Sequence, residues 1–310
     1  MTRTIVVGYD GSDHGDDALA LGRLLARIAE ANLVVACAYP HDPLGESATG
    51  LEVAQELREE AERTLGKARA WLDGAGAPGA AGADLRAVAG PSPSHVLHEL
   101  AEQTSAEAIV VGATHHGKAL RLLTGSTPQA VLDHAPCAVA VAPDGFRDTP
   151  ATAVGESSAP RRLAVAFDGS PEAEHTVAVA ATWARRAGAR LRVVMVVNSV
   201  AAVGAYPPPP LDVTAYEELS QLARADARAR LDEAIAQLGE GIDAEGAVLD
   251  GDPVAMLAEE SADDDLLFTG SRSQGPFRRV LLGSVSTHLL RDAACPVLVV
   301  PRGSGEPERA

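Results

Sequence analysis

The sequence predicts an α/β protein made of two tandem doubly wound domains, each a parallel sheet of five strands flanked by helices. Two observations carry this. The first is a repeat: "TIVVGYDGS" (Thr4 to Ser12) returns as "RLAVAFDGS" (Arg162 to Ser170), and Asp10/Asp168, Gly112/Gly270, Gly125/Gly283 and Cys137/Cys295 all stand 158 residues apart. Four anchors in one register across most of each half mark a duplication, with small insertions between anchors compensating one another. The second is that each half alternates apolar runs of strand length with helical patterns, and strands apolar on both faces belong to a parallel sheet covered on both sides.

In the first half "TIVVGY" is a strand, and Asp13 to Ala29 is a helix with Ala18, Leu21, Leu25 and Ile28 on one face. "NLVVACAY" is the second strand and Leu51 to Leu72 a long helix. A Gly/Ala/Pro-rich turn leads to a strand near Asp84 to Ala89, a helix near Ser94 to Gln103 and the strand "AEAIVVG". A loop then precedes a last helix opening near Ser126 and the strand "CAVAVA". The second half repeats this with "RLAVAF", "RLRVVMVV", "AEGAVL", "DLLFTG" and "CPVLVV". The domains are assigned to residues 1–145 and 161–303, with a linker rich in Pro, Ser, Thr and Gly over 146–160 and a tail over 304–310. "AYPPPPLD", from Ala205, is a stiff extended spacer before a helix.

With 310 residues, 46% of them hydrophobic and 22% charged, the chain has the composition of a globular protein long enough for two cores. A net charge of −17 argues against nucleic-acid or anionic-membrane partners, which need a basic surface. Cys37, Cys137 and Cys295 lie in apolar runs without metal-ligand spacing and read as buried thiols of a reducing compartment. The first residues are strand-like rather than a signal peptide, and no run of about 18 apolar residues suggests a membrane span. A cytoplasmic location is expected.

Ligands of open α/β sheets bind beyond the carboxyl ends of the strands, where the strand order reverses. Two segments per copy end there: Asp10-Gly11-Ser12 and Asp168-Gly169-Ser170 after the first strand, and the loops "GATHHGKALRLLTGST" and "GSRSQGPFRRVLLGSVS" after the fourth. In those loops glycines admit close backbone approach, and Gly-Ser opens a helix whose N–H groups can face an anion. Ser126, Thr127, Ser284 and Ser286 offer hydroxyls to that anion; the same residues also read as ordinary N-caps, with Pro128 just inside the helix. His115 and His116 stand with Lys118 and Arg121 in copy one, and Arg272, Arg278 and Arg279 in copy two. These are either phosphate partners or a solvated charged loop. Zinc on the adjacent His115 and His116 is disfavoured, since neighbours seldom aim at one ion. His95 and His98 share a helix face and read as packing or surface residues. No nucleophile elbow or Walker A motif is present.

These residues resemble the universal stress protein family, whose nucleotide-binding members carry G-x2-G-x9-G-[S/T] after the fourth strand. The resemblance spans both copies and is closest from Gly270 to Val300. It implies strand order 3-2-1-4-5, with Asp10 and Asp168 beside an adenine walled by Ala38 and Val196, and with Gly8, Ser12 and Ser170 also among the nucleotide-binding residues. It places Gly112 and Gly270 along ribose and phosphates, and Gly125-Ser126 and Gly283-Ser284 at the distal phosphates, with Thr114, His115, Thr127, Arg272, Ser273 and Ser286 also counted among the nucleotide-binding residues. The ligand it implies is ATP, with magnesium bridging the phosphates and held by few protein groups. Both copies depart from the pattern where His115 and Ser273 replace the second glycine, although nine residues are kept before Gly125 and Gly283. Pro128 stands where copy two has Ser286, so copy two is expected to bind more tightly. The function implied is a stress-response nucleotide sensor with up to two sites, at most weak ATP hydrolysis and an unknown protein partner. The last strands are expected to pair within the chain as a pseudo-dimer, with a homodimer also open. The rivals are an interaction module of the same fold that has lost nucleotide binding, and an enzyme acting on an adenylated substrate.

Overall fold

The computed structural model describes residues 3–40, 48–74, 82–113, 127–149, 160–198, 213–271 and 283–301. The first copy runs β1 (Thr4–Gly8), α1 (Asp13–Ala29), β2 (Asn32–Pro40), α2 (Ala48–Gly74), β3 (Asp84–Gly90), α3 (Pro93–Thr104), β4 (Ala108–Gly112), α4 (Thr127–Leu132) and β5 (Ala138–Ala142). The second runs β6 (Arg162–Ala166), α5 (Pro171–Ala187), β7 (Arg190–Val197), α6 (Val213–Ala236), β8 (Ala244–Asp250), α7 (Pro253–Glu260), β9 (Leu266–Gly270), α8 (Ser284–Asp292) and β10 (Val297–Val300).

Each copy is a parallel sheet of order 3-2-1-4-5, and the two join into one ten-stranded sheet, β3-β2-β1-β4-β5-β10-β9-β6-β7-β8. The seam is the one antiparallel pairing among the described strands, with Val139, Ala140 and Val141 opposite Val299, Leu298 and Val297. Strand alternation sends Ile5, Val7, Leu163, Val165 and Leu298 into the core beneath α1, α2, α5 and α6, and Val6, Val139, Ala164 and Val299 into the core on the other face. Each core is continuous across both copies, because β5 and β10 contribute to both faces. Away from the strands, Arg186 of α5 reaches Glu107 at 2.7 Å, and Arg3 meets the same carboxylate at 3.1 Å, tying the second copy to the edge of β4.

The chain stays docked beyond residue 145, where the sequence places a linker. A 3-10 turn at Phe146–Asp148 buries Phe146, while Asp17 of α1 accepts hydrogen bonds from the amides of Gly145 (3.0 Å) and Arg147 (2.9 Å). One buried ring and one carboxylate hold a segment that shows no apolar period.

Candidate functional site

In each copy β1 or β6 lies between its neighbours on both sides, and its carboxyl end delivers an Asp-Gly-Ser turn into the point where strand order reverses. Asp10 Oδ1 accepts from the Ser12 amide at 3.0 Å and its hydroxyl at 2.5 Å, and Ser12 Oγ in turn caps α1 by accepting from Gly15 N at 3.1 Å. The second copy repeats these contacts: Asp168 Oδ1 to Ser170 N at 3.0 Å and Oγ at 2.5 Å, and Ser170 Oγ to Ala173 N at 3.2 Å. Gly11 and Gly169 sit at φ 75° and 77°, the left-handed region that glycine enters at little cost. Both aspartates are exposed.

The sheet register brings the expected walls to this turn. Gly8 pairs with Ala36 and Ala166 with Val194, so Ala38 and Val196, both half-buried, stand level with Asp10 and Asp168. On the other side Val7 pairs with Val110 and Val165 with Phe268, which puts Gly112 and Gly270 level with Tyr9 and Phe167. Gly8 itself is tucked beneath Leu97 of α3.

Gly112 answers first to packing. A Cβ there would lie 2.0 Å from the backbone oxygen of His14, so the strand end is glycine because the first turn of α1 rests on it. At Gly270 the equivalent Cβ would meet Thr176 Oγ1 at 2.9 Å. The long helix of each copy adds a cation that the sequence did not single out: a Cβ on Gly11 would be 3.7 Å from Lys67 Nζ, and one on Gly169 3.1 Å from an Arg230 guanidinium nitrogen. The two basic residues do not share the offset of 158, since the insertions fall between the anchors, and so the repeat conceals them.

Thr114, His115, Gly125 and Ser126 of copy one, and Arg272 and Ser273 of copy two, lie outside the described residues. Thr127 is the first residue of α4 and is exposed. At α8 the N-cap is Gly283, extended at φ −66° and ψ 158° and without a side-chain cap, and Ser284 is the first helical residue. Neither Ser284 nor Ser286 is therefore the cap. Ser286 is 3% exposed, and its hydroxyl donates to the Gly270 carbonyl at 3.0 Å and lies 3.0 Å from Thr269 Oγ1. Copy one has Val111 and Pro128 in these places, both buried, so the difference between copies is a polar pair exchanged for an apolar one inside the protein.

The remaining candidates are structural. Cys37 and Cys295 are buried, and burial raises both thiols; it pushes Cys137 up to about 12, so none is held as a thiolate at neutral pH. His98 Nε2 lies 2.6 Å from the Val131 carbonyl and joins α3 to α4, while His95 faces Glu99 at 4.0 Å on the surface. No helix among the described residues is long and apolar enough to cross a membrane.

The universal stress protein family matches the chain twice, over residues 1–143 and 160–301. A universal stress protein of Mycobacterium tuberculosis is 29% identical over 313 residues, covering 96% of this chain and 99% of that relative. Another from the same organism is 31% identical over 194 residues, and there the match spans 63% of this chain and only 61% of the relative's length. Among solved structures, a universal stress protein from Archaeoglobus fulgidus aligns over 98% of this chain and 97% of its own with a TM-score of 0.64 at 21% identity, a likeness of fold. A doubled match with the same strand order in each copy leaves one assignment: the chain belongs to the universal stress protein family, as a tandem two-domain member.

Proposed function

We propose that the protein is a stress-response regulator that binds an adenine nucleotide, ATP, in the crevice of each copy without dedicated catalysis. The observation that carries this reading is the doubled Asp-Gly-Ser turn, held by the same hydrogen bonds in both copies at the point where strand order reverses. The described residues suit such a ligand. Asp10 and Asp168 stay exposed beside Ala38 and Val196, which offer an apolar surface to a base, and Lys67 and Arg230 stand close to the turns. α8 opens on Gly283, and the N–H groups of a helix start suit an anion. Magnesium would take most of its ligands from the phosphates and water. Bound nucleotide would shift the population of a surface read by a protein partner. The free, largely buried cysteines suit a reducing cytoplasm.

The test is to denature freshly purified protein and identify released small molecules by chromatography. Near-stoichiometric ATP or ADP supports the reading. Nucleotide-free protein that gives no heat with ATP in calorimetry favours the family fold acting as an interaction module.

A further inference from the structure

We propose that the first copy carries a divalent transition-metal site, of the zinc class, made by His14, Asp17 and Asp144, which clasps the start of the inter-copy segment to α1. One ligating atom from each of the three residues falls within 4.8 Å of the others. His14 and Asp17 are i, i+3 in the first turns of α1, so they share a face, and Asp144 arrives from the far side as the chain leaves β5. His14 Nδ1 and Asp144 Oδ1 are 3.7 Å apart. That is beyond hydrogen-bond reach and close to the roughly 3.3–3.6 Å edge of a tetrahedron whose metal–ligand bonds are about 2.0–2.2 Å.

The donor set is mixed, an imidazole nitrogen with two carboxylates; zinc takes both donor types, and three protein ligands with an open fourth position are a common arrangement for it. Asp17 is 1% exposed and is already oriented, because its two oxygens accept the Gly145 and Arg147 amides. Ligating carboxylates are generally held by such outer hydrogen bonds and keep lone pairs for the metal. The Arg147 guanidinium bonds the Asp13 carbonyl (2.8 Å) and carboxylate (3.0 Å), and its charge also acts on Asp17. A dication balances the two carboxylates with neutral His14, at the end of α1 where the helix dipole alone would repel it.

The second copy lacks the third donor of this site. Glu172 and His175 stand at the places of His14 and Asp17, and Arg302 at that of Asp144. The site therefore distinguishes the copies and stands apart from the nucleotide reading.

The full-length chain, stripped with chelator and free of nucleotide, is titrated with Co²⁺ followed by visible absorption, and with Zn²⁺ by competition. One equivalent should bind, and His14→Gln and Asp144→Asn should each weaken it by at least about tenfold. His14 and Asp144 are partly exposed at 29% and 66%, so both variants should keep the native circular dichroism and metal-free thermal midpoint. The double variant of His115→Gln with His116→Gln should bind as the native chain does. Absence of saturable binding, undiminished affinity in either cluster variant, or loss on changing His115 and His116 instead, overturns the proposal.

Discussion

One oxygen of Asp10 holds both the amide and the hydroxyl of Ser12, and Asp168 does the same to Ser170. The aspartate is thereby fixed by the residue that also caps the following helix, so side-chain direction at the crevice is coupled to the start of α1 and α5. Ser12→Ala and Ser170→Ala remove a cap and a hydroxyl partner together. Each should cost about 1 kcal/mol in urea unfolding and loosen the aspartate. A variant with unchanged stability would show that the cap contributes nothing.

Gly112→Ala and Gly270→Ala should separate the two copies. The added methyl at Gly112 meets backbone of α1 at 2.0 Å, which cannot yield without moving the helix, whereas at Gly270 it meets the Thr176 hydroxyl at 2.9 Å. The expected losses are about 3 kcal/mol or more for the first and about 1 kcal/mol for the second, read from denaturant midpoints. Equal losses would contradict the packing account.

The Thr269–Ser286 pair gives a coupled prediction. Either Thr269→Val or Ser286→Ala leaves a buried hydroxyl or carbonyl short of a partner and should cost about 1–3 kcal/mol. The double variant, which approaches copy one's apolar arrangement, should cost less than the sum. Ser286→Ala should leave ATP affinity within about threefold, a change under about 0.7 kcal/mol, because its hydroxyl is turned inward.

The strands are legible from the chain and so is α1, Asp13 to Ala29 being both the expected and the observed helix, whereas the strand order follows from the family resemblance. The causes are local: uninterrupted Val, Ile and Leu runs for strands, and a repeat that reads each element twice. What escaped depends on tertiary contacts. Nothing in "DGFRD" marks Phe146 as buried, and no periodicity tells which way the Ser286 hydroxyl turns once α8 packs on β9. The long helices place Lys67 and Arg230 by the glycine turns through insertions that break the repeat's register. Pairing of the last strands was expected, but the antiparallel seam that makes one sheet of two is visible only in the register of Val139 to Val141 with Val297 to Val299.

That seam predicts the behaviour of the halves produced separately, as residues 1–149 and 160–301. Each would expose a fully apolar edge, β5 or β10, with unpaired backbone groups. Each half should self-associate in sedimentation, and mixing the two should restore a one-to-one complex. Folded monomeric halves that ignore one another would contradict the role given to the seam.

Asp264 supplies a pH dependence. Burial raises its carboxyl from 3.8 to about 6, opposed by Arg192 and Arg162, which lie 3.5 Å away. The folded state therefore holds the proton more tightly than the unfolded chain between those values. The contribution of this group to stability is present in full below about 3.8 and is lost as pH rises through about 6. Native stability minus that of Asp264→Asn, from urea melts, should fall from pH 4 to about 6 and level off above. A rise over that window would reverse the assignment.

Nucleotide binding at the paired aspartate turns is tested most directly by calorimetry with ATP and magnesium on nucleotide-free native protein, Asp10→Ala, Asp168→Ala and the double variant. Two equivalents per native chain, one in each single variant and none in the double is the expected result. Absence of binding to the native chain, or undiminished binding to the double variant, would contradict it.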